Sequence, residues 1–62
     1  METVKEVSTN RYIIELVHAK SGMYYVRWQK IDDDEPITSP GLAELGNALY
    51  MFDHKLQELQ GN

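Results

Sequence analysis

Three groups of residues carry side chains able to do chemistry. The run Asp32-Asp33-Asp34-Glu35 gathers four carboxylates, the hard oxygen ligands that Mg²⁺ and Ca²⁺ prefer. Adjacent residues point in different directions, however, and the alternating acidic positions with a central glycine that make a calcium loop are missing. Followed by Pro36, the run reads as a solvated turn and an acidic surface for a basic partner. The second group is His18, His54, Ser8, Ser21 and Ser39, the candidates for acid-base or nucleophilic work. None stands at a spacing that pairs a nucleophile with a base, and both imidazoles are expected in solvent. Two histidines and no cysteine are too few for a structural zinc. No catalytic residue, metal ligand or cofactor is assigned, and an enzyme is not expected.

The third group is Tyr24-Tyr25-Val26-Arg27-Trp28-Gln29-Lys30, which interleaves aromatic and basic side chains. A sheet binds nucleic acid in this way, by stacking on bases and contacting phosphates. Arg11, Lys20, Arg27 and Lys30 are the bases that could serve. The Tyr-Tyr-Val-Arg-Trp stretch resembles the second strand of the amino-terminal arm-binding domain of phage-type integrases, a three-stranded sheet backed by one helix. The resemblance covers about residues 12–59, is carried by that strand alone, and implies a nucleic-acid-binding sheet. The family has further bases beside its sheet and a basic helix start, where this chain has Asp32 to Glu35 and Ser39-Pro40-Gly41-Leu42. Ten acidic against six basic residues leave a net charge of −4, which disfavours non-specific attraction to phosphates or an anionic membrane.

These groups are positioned by a few short elements. Residues 1–10 are polar apart from Val4 and Val7 and read as an arm or a short edge strand; residues 11–62 read as a single domain. Tyr12 to His18 and Met23 to Ile31 are rich in β-branched and aromatic residues, which predicts a hairpin through Lys20-Ser21-Gly22. A three-residue loop with Gly22 in the left-handed region sets Leu16 against Val26, Ile14 against Trp28, and Glu15 against Arg27. A two-residue loop would set Leu16 against Arg27, so the apolar and charged pairs choose the register. One face then carries Tyr12, Ile14, Leu16, Tyr24, Val26 and Trp28; the other carries Ile13, Glu15, Val17, Tyr25, Arg27 and Gln29.

Ile37-Thr38 is long enough for a short third strand, with Pro36 suited to an edge. Ser39 as cap and Pro40 in the first turn predict a helix from about Pro40 to Gln60, closed by Gly61 and Asn62. Leu42, Leu45, Leu49, Phe52, Leu56 and Leu59 make an apolar stripe along it, the natural cover for the hairpin face of Ile14, Leu16, Val26 and Trp28. The expected fold is therefore α+β, a ββ(β)α arrangement of an antiparallel hairpin, or three-stranded sheet, on one C-terminal amphipathic helix.

A chain of 62 residues buries only about 60% of its unfolded surface, so a second subunit is a common source of added stability. Ile13, Val17 and Tyr25, with Arg27 on the same face, and Tyr50 and Met51 beside the helical seam, form the candidate interaction surface. A homodimer is expected, through the second sheet face or through helices packing along the stripe. The opening residues lack the pattern of a signal peptide and no apolar run could span a bilayer, which makes the cytoplasm the default location. The leading expectation is a small acidic protein-interaction module, an accessory or inhibitory factor of the sort found in phages and other mobile elements. The alternative is a nucleic-acid-binding sheet.

Overall fold

Alternating apolar and polar residues build one antiparallel sheet, and a single helix closes one of its faces. The computed structural model describes residues 1–33 and 35–61, so Asp34 of the acidic run and Asn62 at the end of the chain lie outside the described residues. The elements are β1 (Glu2–Ser8), β2 (Tyr12–His18), β3 (Tyr24–Lys30), β4 (Ile37–Thr38) and α1 (Leu45–Gln60). The four strands lie in chain order, giving the expected α+β, ββ(β)α architecture with one further strand in front.

The β2–β3 hairpin has the expected register: Ile14 faces Trp28, Glu15 faces Arg27 and Leu16 faces Val26. Ala19 N donates to the Met23 carbonyl over 2.9 Å and Gly22 N to that of Ala19 over 3.0 Å. Gly22 sits at φ 92°, where a Cβ would strain the backbone.

Residues 1–10 are mostly an edge strand rather than an arm. Pairing shifts from Thr3 with Val17 to Lys5 with Leu16, so Val4 is the extra residue of a bulge. Backbone hydrogen bonds to β2 hold this polar segment, and Val7, opposite Ile14, packs against the core. On the other edge, Trp28 faces Ile37 and Arg27 faces Thr38, whereas Tyr24 faces Leu42. One extra residue therefore lies between Thr38 and Leu42.

That second irregularity corrects the expected helix. Tyr24 and Leu42 exchange two backbone hydrogen bonds, of 2.7 and 2.8 Å, which keep Leu42 on the sheet edge. Ser39 is buried beside Val26 and does not cap a helix. The helix starts at Leu45 instead, with Glu44 extended at its N-cap and making no side-chain cap hydrogen bond. The apolar stripe changes accordingly. Leu42 packs from the edge, Leu45 is 40% exposed, and the buried helical residues are Ala48 and Phe52. They meet buried Ile14, Leu16 and Val26, with Tyr12, Tyr24, Trp28, Leu49, Leu56 and Leu59 around them. Met51 packs there too, so its expected place on an unpartnered surface is corrected: it flanks the buried side of the helix.

Candidate interaction surface

With α1 on one side of the sheet, the other side is left open, and strand register determines what it shows. Its middle row runs Glu6, Glu15, Arg27, Thr38 across β1 to β4. Arg27 donates from Nε and Nη2 to Glu15 Oε1 over 3.0 and 2.6 Å. Thr3 Oγ1 donates to Glu15 Oε2 over 3.4 Å. The two charged side chains are 36% and 21% exposed, so the pair is partly withdrawn from water. Glu6 is exposed and faces Glu15, an unfavourable cross-strand placement of like charges.

The row on one side runs Thr3, Val17, Tyr25. Val17 was expected to lack a partner, yet it is only 2% exposed. Among the described residues no helix or further strand packs on this face, and its cross-strand neighbours Thr3 and Tyr25 flank it. A Cβ placed on Gly41 would lie 3.3 Å from Cε1 and Oη of Tyr25 and 3.0 Å from Cε of Met23. The Tyr25 ring and Met23 therefore rest against bare glycine backbone. The row on the other side runs Ser8, Ile13, Gln29, with Ile13 half-buried. Gln29 Nε2 donates to the Asp33 carbonyl over 2.6 Å, tying the acidic turn to this face. Asp32, Asp33 and Glu35 are exposed there, and Asp33 Oδ1 accepts from Glu35 N over 3.2 Å.

The remaining candidate residues lie elsewhere. Tyr50 is 75% exposed and stacks loosely on His54, centroids 6.3 Å apart, on the outer side of α1. His18, expected in solvent, is half-buried and stacks on Tyr24 at 4.3 Å, because the even-numbered positions of β2 share the helix side. Trp28 also faces the helix side, with Lys55 Nζ 4.4 Å above its ring. Lys55 Nζ lies 2.9 Å from Glu58 Oε1; this hydrogen bond, and then the charge of Lys55, lower the pKa of Glu58 from its ordinary value. Of the aromatic side chains in residues 24–28, only that of Tyr25 belongs to the open face.

Two cavities flank the β1–β2 turn. One of about 560 Å³ is lined by Ser8, Thr9, Asn10, Arg11, Leu59 and Gln60; one of about 240 Å³ is lined by Asn10, Arg11, Lys30, Ile31 and Asp32. Among the described residues, no three His, Cys, Asp or Glu side chains cluster as metal ligands. No described helix is long and apolar enough to cross a membrane.

The structure thus brings Ile13, Val17, Tyr25 and Arg27 to one face and separates Tyr50 and Met51 from them. Glu6, Thr38, Met23 and Gly41 join that face without having been singled out in the sequence. The face that Glu6 occupies depends on the bulge at Val4, which no residue type announces. No family model, curated protein or solved structure matches the chain.

Proposed function

We propose that this chain is a small acidic protein-interaction module, an accessory or inhibitory factor that acts by surface contact and associates through the open face of its sheet. The observation that carries this reading is the one-sided cover: α1 packs on one face, while the other presents Ile13 and Tyr25 on either side of the Glu15–Arg27 pair. Apolar side chains flanking a paired charge are the makings of a protein interface, in which burial drives contact and charge selects the partner. A protein is favoured over nucleic acid because Arg27 is engaged by Glu15, Glu6 adds a second carboxylate, and Tyr24 and Trp28 lie on the helix side.

Immobilised chain and its Ile13→Glu and Tyr50→Ser variants, compared for bound protein by mass spectrometry, test this. Loss of capture with Ile13→Glu alone, at unchanged circular dichroism, is the expected result. Capture that survives Ile13→Glu but not Tyr50→Ser would move the surface to the helix. Binding of DNA or RNA at low salt that weakens steeply with salt and with Arg27→Ala would establish the nucleic-acid alternative instead.

A further inference from the structure

The edges of the sheet are poorly suited to association. β1 carries a bulge and the charges of Glu2, Lys5 and Glu6. β4 is two residues long, between Pro36 and Pro40. Bulges, charges, prolines and short length are the devices that stop strands from adding to a sheet edge. The open face remains.

Its middle row has a further property. Read across the sheet it runs Glu6, Glu15, Arg27, Thr38; a twofold axis parallel to the strands, midway between β2 and β3, lays the same row over it in reverse order. Glu15 then meets Arg27 of the second copy, Arg27 meets Glu15, and Glu6 meets the hydroxyl of Thr38. The exposed Glu6, set against Glu15 within its own sheet, gains a donor. The adjoining row places the Tyr25 ring over Val17 of the second copy, which is 2% exposed and so adds little contact of its own.

We propose that the occupant of the open face is a second copy of this chain, docked face to face about that axis. This rests on the interaction reading above and names its partner. The ion pairs fix register, since two such pairs stacked in opposite sense roughly break even on desolvation. Attraction comes from the Tyr25 ring and from Ile13, which this axis lays on the side-chain methylenes of Gln29 of the second copy. Strands about 4.8 Å apart with residues about 3.3 Å apart give each sheet a face of roughly 400 Å², small for a specific interface, so the dimer dissociates at micromolar concentration or above. The same axis brings the turns after β3 to one end of the dimer, where Asp32, Asp33 and Glu35 of both copies form a doubled acidic surface.

A charge swap tests the register. The double variant Glu15→Arg with Arg27→Glu keeps the pair within each chain, and under the proposed symmetry it also keeps the pairs between two identical copies. Sedimentation should show it dimerising like the unmodified chain. Mixed with the unmodified chain, it would place carboxylate on carboxylate and guanidinium on guanidinium. Native mass spectrometry of the mixture should then find heterodimers at least about tenfold below the statistical share. A statistical share of heterodimers, or an unmodified chain that stays monomeric at millimolar concentration, overturns the proposal. If the chain is monomeric yet Ile13→Glu abolishes capture of another protein, the interaction reading stands and only its partner is wrong.

Should the double variant fail to fold, Thr38 decides, since it is exposed on an edge. Thr38→Lys, facing Glu6 of the second copy, should tighten the dimer several-fold at low salt, and Thr38→Glu should weaken it. The reverse order, or no difference, overturns the register.

Discussion

Ser39 gives β3 the hydrogen bond that a regular edge strand would supply from a carbonyl: Val26 N donates to Ser39 Oγ over 3.0 Å, and Ser39 N donates back to the Val26 carbonyl over 2.8 Å. The hydroxyl in turn donates to the Pro40 carbonyl over 3.0 Å. One serine thus bridges the irregularity that carries the chain from Thr38 to Leu42.

Removing that hydroxyl leaves a buried N–H without an acceptor, which costs about 1–3 kcal/mol. Ser39→Ala should therefore lower stability by that amount in urea titration. A helix-cap role would instead be read as loss of helical signal before unfolding, and none is expected, because the helix begins at Leu45.

Phe52 and Leu45 should separate sharply in the same measurement. Phe52 is fully buried, and Phe52→Ala should cost about 3–5 kcal/mol, enough to unfold much of so small a domain. Leu45 is 40% exposed, and Leu45→Ala should cost under about 1 kcal/mol, with Ala's higher helix propensity offsetting part of the lost contact.

Two glycines predict opposite signs. A Cβ on Gly46 meets nothing within 4 Å, so Gly46→Ala should stabilise the helix by about 0.5–1 kcal/mol. Gly22 holds φ at 92°, and Gly22→Ala should destabilise the hairpin by about 1–2 kcal/mol although the space around it is open. Thermal melts of the two variants should move in opposite directions.

Lys55 links the single tryptophan to a titrating carboxylate, lying over Trp28 and against Glu58. The pKa of Glu58 is lowered in the folded chain, so its contribution is complete above the unfolded-state pKa and is lost as pH falls through the folded value. Trp28 emission should hold steady from neutral pH downward and change only at the acid end of the carboxylate range. In Glu58→Gln that acid step should shrink, while emission at neutral pH should resemble the low-pH state of the unmodified chain.

The hairpin was legible because each constraint on it is local or pairwise. Gly22 supplies the loop, and a one-residue slip would set Leu16 against Arg27, so the observed pairing of Glu15 with Arg27 follows from residue types alone. The same parity assigns Ile14, Leu16 and Val26 to the core and Ile13, Tyr25 and Arg27 to the opposite face. Ile37-Thr38 was likewise readable as a short strand beside proline.

Where the helix begins was not readable, because Ser39-Pro40 satisfies the local rules for a helix start and Leu42 continues the stripe. Two backbone hydrogen bonds to Tyr24, eighteen residues earlier in the chain (42 − 24), hold Leu42 on the sheet edge instead. Residues 2–8 became a strand in the same way, through pairing with β2 that polar side chains neither require nor forbid. Local side-chain chemistry was enough for the hairpin and its two faces. Long-range backbone pairing set the helix start, both bulges and the row in which Glu6 and Thr38 flank Glu15 and Arg27, since residue types place little constraint on hydrogen bonds made by the main chain.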